Sequence, residues 1–249
     1  MSQAILAIDM GNTRTQVGYF ENADLVWVER YDTAQLSALW PGLLQRIPSG
    51  QRLKVGWMSV ARPIELANLP GWGHFTHPAE IIFVHSQMNL PISNAYATPK
   101  TLGTDRIVAV IGALAHFGGG PVLVIDAGTA LTYDVADAEG VYQGGGIAPG
   151  INMRFRSLHE FTARLPLISF NPDPPLTGDS TENSILAGVL QGILSEVEGM
   201  IERYRQKYGA NIKIILTGGD RPFFENHLKN LNFADANLNL RGIYHILTV

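Results

Sequence analysis

Residues 5–15 read ILAIDMGNTRT, and residues 122–132 repeat the pattern as VLVIDAGTALT. In each copy an apolar run ends in aspartate, with glycine two residues later and threonine six residues later. Turn residues follow at 21–24 and at 137–140, where each copy is expected to form a hairpin. An internal repeat with these residue types predicts a duplicated phosphate-binding half.

The two aspartates, Asp9 and Asp126, are suited to cation chemistry. A carboxylate at the C-terminal end of a buried strand points into a crevice, where it holds a hydrated divalent cation such as Mg²⁺. Gly11 and Gly128 lack a Cβ atom, so backbone N–H groups can close on a phosphate. One Asp-x-Gly alone is typical of a tight turn after a strand, but two in matching contexts favour loops that hold a nucleoside triphosphate from both sides.

Length and repeat spacing indicate two halves of similar weight. The chain has 249 residues, and the copies begin at residues 5 and 122. We expect one half over 1–117 and another over 118–249, near the glycine-rich breaker at 118–121. Three antiparallel strands and helical crossovers in each half predict an α/β fold of two mixed sheets flanked by helices, with a cleft between the halves.

Hydrophobic periodicity predicts the individual elements. Asp179, with Glu182 three residues later, imitates a capping box and begins a helix that ends near Tyr208. The glycines of this helix cost about 1 kcal/mol each in helix propensity, which close packing would explain; they are Gly188, Gly192 and Gly199. The other expected elements are strands at 5–8, 15–20, 25–30, 54–60, 81–84 and 212–216, and helices at 34–47 and from Thr104.

Composition points to an intracellular globular protein. The chain is 46% hydrophobic and 16% charged, and its net charge of −4 gives no general attraction for nucleic acid or an anionic membrane. The apolar run at 4–8 is too short for a signal peptide, and no stretch approaches the ~20 apolar residues of a membrane span. The absence of cysteine excludes disulfides and thiolate metal sites. We therefore expect a cytoplasmic protein with neither a nucleic-acid nor a membrane partner.

Three further motifs have both a structural and a functional interpretation. In Gly103-Thr104-Asp105-Arg106, the aspartate either stabilises a helix N-terminus or acts as a base beside a cation for a carboxylated substrate. The glycines at 144–146 form a turn or let the backbone approach a ligand. The strand-end turn at 217–220 favours a nucleoside contact.

Several familiar sites are missing from the sequence. It contains no P-loop, protein-kinase or Rossmann glycine motif. His74 and His77 lack the spacing of a zinc site on a helix face, so a structural or surface role is favoured for both.

As a set, these motifs resemble those of the type III pantothenate kinases, within the superfamily of actin, heat-shock ATPases and sugar kinases. They occur in family order from residue 9 to residue 218, so the resemblance covers nearly the whole chain. The motifs are Asp9-Met10-Gly11-Asn12-Thr13, Gly103-Thr104-Asp105-Arg106, Asp126-Ala127-Gly128-Thr129-Ala130, Gly144-Gly145-Gly146-Ile147-x-Pro149-Gly150 and Thr181-Glu182.

The resemblance implies duplicated ribonuclease H-like, or actin-like, halves. It implies an enzyme that phosphorylates pantothenate with ATP to 4′-phosphopantothenate, the first step of coenzyme A biosynthesis. It also implies a homodimer that needs Mg²⁺ and a monovalent cation, K⁺ or NH₄⁺.

Residue roles follow from the same resemblance. Asp105 would accept the proton, Asp9 would lie near Mg²⁺, and Asp126 would bind the monovalent cation. The planar guanidinium of Arg106 would face the pantothenate carboxylate. Contacts to ATP would come from Asp9, Met10, Gly11, Asn12, Thr13, Arg14, Thr15, Gln16 and Thr129. Contacts to the substrate would come from Tyr96, Gly103, Thr104, Asp105, Arg106 and Thr181.

The chain departs from the family pattern at three places. Thr104 stands where alanine is usual and Ala127 where phenylalanine is common, which would change pocket packing. Asn183-Ser184 replace a small or apolar pair and would reshape the pantothenate tunnel. Two alternatives stay open: another small-molecule kinase or a phosphatase of the same fold, and a non-enzymatic transcription accessory factor, against which the retained aspartates count.

Overall fold

The structure, a computed structural model, describes residues 3–12, 14–59, 68–77, 79–229 and 231–249. The chain divides into two compact units, one made of residues 1–116 with 237–249 and the other of residues 117–236. The expected halves had placed the C-terminal residues in the second half. In the structure they group with the first unit instead, as a helix that packs on its sheet.

Each unit begins with three consecutive strands, which are followed by helices and further strands. The strands are β1 (Gln3–Met10), β2 (Arg14–Glu21), β3 (Asp24–Asp32), β4 (Arg52–Ser59), β5 (Glu80–Phe83), β6 (Ser93–Asn94), β7 (Val122–Ala127), β8 (Ala130–Ala136), β9 (Val141–Pro149), β10 (Lys213–Thr217) and β11 (Phe233–Ala234). The α-helices are α1 (Leu36–Leu44), α2 (Thr104–Phe117), α3 (Ile151–Glu160), α4 (Thr181–Leu186), α5 (Gly192–Tyr208), α6 (Arg221–His227) and α7 (Leu238–Thr248). Short 3₁₀ turns lie at Thr33–Gln35, Trp72–His74 and Pro99–Thr101, and a π-helical turn at Ala187–Gln191.

The sheet of the first unit is mixed. In the described residues its strand order is β3-β2-β1-β4-β5. β2 is antiparallel to both β1 and β3, whereas β4 is parallel to β1 and to β5. The expected hairpin at 21–24 is confirmed, because Glu21 pairs with Asp24 and the turn residues Asn22 and Ala23 have φ of 49° and 74°. A two-residue turn with both φ values positive matches the twist of the flanking strands.

The second unit repeats this arrangement. β8 is antiparallel to β7 and β9, and β10 is parallel to β7 and to β11. Its hairpin at 137–140 closes with a hydrogen bond from the N–H of Gly140 to the carbonyl of Asp137 at 3.1 Å. The order β9-β8-β7-β10-β11 therefore copies β3-β2-β1-β4-β5 in sequence order and direction. The prediction of duplicated mixed sheets flanked by helices is confirmed.

Strand β1 separates two hydrophobic cores. Its even-numbered side chains, among them Leu6 and Ile8, pack in a cluster with α1. Its odd-numbered side chains Ile5 and Ala7 pack in a second cluster with side chains of α7. Successive residues of a strand point to opposite faces, so β1 is buried on both sides.

Helix α7 lies against the first sheet because glycines on neighbouring elements let it approach. A Cβ atom at Gly56 of β4 would lie 2.6 Å from Leu247 and 2.7 Å from Ile243. A Cβ at Gly242 of α7 would lie 2.1 Å from the carbonyl oxygen of Val108 on α2. These contacts join residues far apart in sequence, which is why the expected boundary of the second half does not match the compact units.

The helix expected from Asp179 to about Tyr208 is present as one helical run through α4, the π-helical turn and α5. Its N-cap is one residue later than expected: the Ser180 hydroxyl accepts the N–H of Asn183 at 3.2 Å. By length and composition this run passes for a membrane span, yet half of its most apolar window is buried. Its buried side chains, such as Ile193, belong to the core of the second unit.

The glycines of this helical run lie open to space rather than against other described residues. A Cβ atom at Gly188, Gly192 or Gly199 would meet no described atom within 4 Å. The close packing that we expected as their explanation is therefore absent from the described part of the chain. All three positions are exposed.

The glycines at 144–146 lie inside β9 rather than in a turn. A Cβ at Gly145 would come 1.6 Å from the Tyr133 carbonyl oxygen on β8, and Gly144 has a φ of 97° beside a shift in the β8–β9 register. Glycine is needed here because one strand approaches another at an irregular pairing. Close approach of backbone to backbone explains this run without a ligand.

We expect Gly242→Ala to destabilise the protein by about 1–3 kcal/mol, the usual cost of overpacking, because the added Cβ meets the backbone of Val108. The matched control is Gly42→Ala in the exposed part of α1, where a Cβ meets nothing within 4 Å. That substitution should stabilise by roughly 0.5–1 kcal/mol through helix propensity. Urea unfolding measures both; equal effects of the two variants would contradict the close packing of α7.

Candidate active site

The first candidate loop joins β1 to β2, with Asp9 near the end of β1. The N–H of Gly11 donates to the Arg14 carbonyl at 2.9 Å, and a Cβ at Gly11 would lie 2.8 Å from that oxygen. The Thr33 hydroxyl donates to the Gly11 carbonyl at 2.8 Å and lies 3.0 Å from the buried Thr15 hydroxyl. The turn at Gly11 therefore has no space for a side chain, which favours glycine. The Thr33 hydroxyl, which contacts Thr15, fixes the Gly11 carbonyl.

The remaining residues expected to contact ATP in this loop differ in exposure. Met10 belongs to the α1 core, so only its backbone faces the loop. Asn12 and Arg14 are exposed, and Gln16 is half-buried. Thr13 lies outside the described residues.

A row of polar side chains crosses three strands of the first sheet. Asp9 lies opposite Gln16 in the β1–β2 register, and Gln16 lies opposite Arg30 in the β2–β3 register. Arg14 lies opposite Asp32 in the same register. A cavity beside the loop has two guanidinium groups on its wall, which suit an anion; it is lined by Arg14, Arg30, Tyr31, Asp32 and Gln35.

Asp9 is a carboxylate in unfavourable surroundings. Its pKa is raised from 3.8 to about 6, chiefly by burial and to a smaller extent by the negative charge of Asp105. A hydrogen bond from Asn239 Nδ2 to Asp9 Oδ2, 3.0 Å long, opposes both effects. A cation next to Asp9 would stabilise its charged form, so these residues fit a metal-binding role.

Asp105 lies in the first turn of α2. Its Oδ1 accepts the N–H of Arg106 at 3.0 Å, and a Cβ at Gly103 would lie 2.6 Å from the same oxygen. Glycine at position 103 therefore leaves room for the carboxylate. The Thr104 hydroxyl, where alanine is usual, accepts the N–H of Ser86 at 3.2 Å and ties the start of α2 to the loop after β5.

Two more residues expected at the substrate lie beside Asp105. Arg106 is buried, and its guanidinium lies over the ring of Tyr96 at 5.9 Å from the centroid. The N–H of Tyr96 donates to Asn94 Oδ1 at 2.9 Å. The start of α2 thus brings together a carboxylate, a guanidinium and an aromatic ring.

The second candidate loop follows Asp126 at the end of β7. A Cβ at Gly218, whose φ is 98°, would lie 2.5 Å from Asp126 Oδ1 and 2.3 Å from the Ala127 carbonyl oxygen. The N–H of Asp220 donates to the same carbonyl at 2.8 Å, and burial raises the pKa of Asp220. The strand-end turn at 217–220 therefore packs on the loop that carries Asp126.

Thr129 lies exposed in this second loop. Its carbonyl accepts the N–H of Gly150 at 3.2 Å, and a Cβ at Gly150 would come 2.5 Å from that oxygen. The start of α3 supports the loop in this way. Sequence analysis did not predict this helix.

The two sequence copies are offset in the structure. Thr132 lies opposite Asp126, whereas Gln16 rather than Thr15 lies opposite Asp9. The threonines at the sixth position after each aspartate are therefore not equivalent, because the first loop is one residue longer.

Thr181 is the exposed first residue of α4 in the second unit. It does not cap its helix, because Ser180 does so. The Asn183 side chain, at one of the departures from the family pattern, donates to Asp179 at 2.6 Å and lowers the pKa of that carboxyl.

Histidine does not build a metal site in the residues that the structure describes. In those residues no group of three or more His, Cys, Asp or Glu is placed to hold an ion. His74 Nε2 lies 2.9 Å from the Ile47 carbonyl oxygen, which agrees with a structural role. A site with one carboxylate is still suited to Mg²⁺, which takes its other ligands from waters and phosphates.

Sequence reasoning missed two residues that contact the first loop or its aspartate. Thr33 supports Gly11, and Asn239 donates to Asp9. Neither belongs to a motif, and Asn239 is 230 residues away along the chain. No local pattern could have identified it.

Comparison with known proteins shows which family the chain is similar to. A family model described as type III pantothenate kinase matches residues 5–203. A protein of Cytophaga hutchinsonii named type III pantothenate kinase is 39% identical over 242 residues, which cover 97% of each chain. Both matches include the two candidate loops and the start of α2.

Solved structures share the fold. A protein of Campylobacter jejuni assigned to the Baf family of transcriptional activators has a TM-score of 0.62 at 22% identity, over 97% of this chain and 96% of that one. A protein of Sinorhizobium meliloti assigned as a 2-dehydro-3-deoxygalactonokinase has a TM-score of 0.55 at 16% identity, over 98% and 95%. At such identities the similarity shows the fold alone, which confirms the expected α/β fold of two mixed sheets flanked by helices.

We expect Asp9→Asn to stabilise the metal-free protein at pH 8 by about 1–3 kcal/mol. The pKa of Asp9 in the folded state, about 6, lies above the ordinary 3.8. Above pH 6 the ionised Asp9 therefore lowers the free energy of unfolding of the wild type. This cost falls as the pH drops and is gone near pH 4, where both variants should be equally stable. Unfolding titrations at both pH values measure the stability difference from wild type, with substitution of the exposed Asp24 by Asn as control. If Asp9→Asn is less stable than wild type at pH 8, the charge on Asp9 is not disfavoured and the prediction is wrong.

Proposed function

The chain belongs to the type III pantothenate kinase family, and we propose that aspartates of its two candidate loops and of α2 carry the reaction of that family. The enzyme phosphorylates pantothenate with ATP, the first step of coenzyme A biosynthesis. Neither alternative is favoured by an observation. The similarity to the Campylobacter jejuni protein concerns the fold and gives no support to a role in transcription.

Asp105 is the proton acceptor in this proposal. Its carboxylate is half-buried at the start of α2, next to the guanidinium of Arg106. The primary hydroxyl of pantothenate gives its proton to Asp105 as its oxygen attacks the γ-phosphorus in line. The bond from that phosphorus to the bridging oxygen breaks, and ADP leaves with the electron pair. Phosphoryl transfer asks mainly for such alignment and for neutralisation of charge.

Asp9 holds Mg²⁺ in this proposal. The raised pKa of its carboxyl and the nearby charge of Asp105 support a cation at this place. The ion, when bound, neutralises negative charge on the phosphates of ATP. The loop after Asp9 contacts the phosphates of ATP in this proposal, and its exposed residues Asn12 and Arg14 are available for such contacts.

Asp126 binds the monovalent cation, K⁺ or NH₄⁺, and Thr129 contacts ATP. The support is their place in the second copy of the loop, where glycines at 150 and 218 leave little space between backbones. Monovalent and divalent cations are thus divided between the two copies.

Substrate is held at the start of α2. Arg106 is the partner of the pantothenate carboxylate, because its planar guanidinium can donate two parallel hydrogen bonds. Tyr96 lies against that guanidinium and completes this side of the pocket together with Gly103 and Thr104.

The enzyme works as a homodimer in the cytoplasm, in our proposal, and Thr181 reaches pantothenate held mainly by the other subunit. Exposed glycines at 188, 192 and 199 give α5 and the turn before it a surface open to close approach. Large apolar side chains of the second unit are also exposed, as is common at interfaces; they are Ile147, Met153, Phe161, Leu167, Phe170 and Leu176.

We expect Asp105→Asn to keep the fold and ATP binding but to lower kcat by ~100-fold or more, the usual contribution of a positioned base. Steady-state kinetics with ATP, Mg²⁺ and K⁺ measure the effect. The same assay of the wild type with a panel of other hydroxyl compounds tests whether pantothenate is the preferred substrate. Retention of more than half of the turnover would exclude this role, and preference for another hydroxyl compound would exclude pantothenate.

Thr181→Ala should raise the KM for pantothenate by about 10-fold, the value of one lost hydrogen bond, and leave the melting temperature unchanged. Ser180→Ala is the matched control, since it removes the actual N-cap and should cost ~1 kcal/mol of stability with a normal KM. Sedimentation at micromolar concentration should show a dimer. An active monomer, or equal KM values in the two variants, would contradict the shared pocket.

A further inference from the structure

The alternation of β1 places Asp9 on the face that α7 covers. Ile5 and Ala7 lie in the core shared with α7, and Asp9 is the next residue in that row. The first turn of α7 therefore meets the sheet where its apolar row ends in a carboxylate.

Two polar contacts hold this end of α7. Asn239 Nδ2 donates to Asp9 Oδ2 at 3.0 Å, and Arg30 Nη2 donates to Asn237 Oδ1 at 2.8 Å. Both contacts reach the polar row of Asp9, Gln16 and Arg30 that crosses β1, β2 and β3. They differ in one respect: only the first touches the aspartate.

Helix α7 also packs on the helix that carries Asp105. A Cβ at Gly112 of α2 would lie 2.6 Å from the Leu238 carbonyl oxygen, and a Cβ at Gly242 would lie 2.1 Å from that of Val108. Backbone meets backbone at both points, so the spacing between the helices has little freedom. The same helix thus contacts the Asp9 carboxylate and supports the element that begins at Asp105.

We propose that Asn239 is a positioning residue of the phosphoryl-transfer site, which holds the Asp9 carboxylate in the orientation that binds the divalent cation. The inference rests on the proposed role of Asp9. Carboxylates that bind a metal are commonly oriented by hydrogen bonds from neighbouring side chains. Loss of such a partner typically lowers metal affinity or activity by about 10–100-fold.

The amide of Asn239 suits this task because it can both donate and accept. Its Nδ2 occupies one oxygen of Asp9, which leaves the other oxygen for the cation. Its own Oδ1 is buried and has no hydrogen-bond partner among the residues that the structure describes. Mg²⁺ usually keeps several waters, and a water on the cation can donate to such an oxygen.

The test measures metal binding without turnover. Mn²⁺ replaces Mg²⁺, and electron paramagnetic resonance follows its binding in the presence of a non-hydrolysable ATP analogue. We expect the Kd for Mn²⁺ to rise about 10-fold in Asn239→Ala, with kcat reduced and the KM for pantothenate within twofold of wild type. Asn239→Leu, which keeps the side-chain volume, should give the same result and excludes a cavity as the cause.

Asn237→Ala is the matched control, because it loses the contact with Arg30 at the same helix end but keeps the hydrogen bond from Asn239 to Asp9. It should leave the Kd for Mn²⁺ within twofold. If Asp9→Ala abolishes Mn²⁺ binding while Asn239→Ala binds like wild type, or if Asn237→Ala weakens binding equally, the inference is overturned. If Asp9→Ala itself binds Mn²⁺ normally, the proposed role of Asp9 fails, and the inference with it.

Discussion

The first unit depends on the placement of one carboxylate, Asp9, where its charge is disfavoured. It ends a strand that is buried on both faces, and a second carboxylate, Asp105, lies near enough to raise its pKa. Two like charges in partly buried positions are kept close only if the surrounding structure enforces it. Here the enforcement comes from backbone packing: the glycines at 56, 112 and 242 bring α7 into contact with the sheet and with α2. This arrangement is useful in an enzyme that binds phosphates, because the negative field of the two carboxylates attracts the cations that accompany ATP.

Much of this architecture was accessible from sequence, for reasons that are local. Alternating apolar residues and two-residue turns determine hairpins, so the strands around 5–30 and their copies after residue 122 followed from short windows. The helix start at Thr104 followed from periodicity as well. The sequence did not reveal that α7 belongs to the first unit. This is decided by Gly18 and Gly56, whose lack of a side chain makes room for leucines of α7, near the other end of the chain. No window of sequence contains both partners.

The candidate site divides in the same way. Asp9, Asp105 and Asp126 stand at the ends of recognisable strands or at a helix start, so residue type and position identified them. Their partners Thr33 and Asn239 carry no pattern and were found only from contacts. The glycines were the hardest residues to interpret from sequence, because a glycine can be required for different structural reasons at different places. The run at 144–146 serves strand pairing, whereas a Cβ atom at the glycines of the helix before Tyr208 would meet no described atom within 4 Å.

The duplication explains why the two loops can hold different cations in our proposal. After a duplication both copies start with the same strand, aspartate and glycine, and any difference must come from what was added around them. The first aspartate gained an amide donor from α7 and a charged neighbour on α2. The second lies where the backbone at Gly218 comes so close that a Cβ would reach its carboxylate. The Ala127 carbonyl oxygen lies against the same glycine, and neutral oxygens of this kind suit a weakly hydrated monovalent ion better than Mg²⁺, which dehydrates reluctantly. Divergence of the surroundings, with the aspartates retained, is how the two proposed roles would become separate.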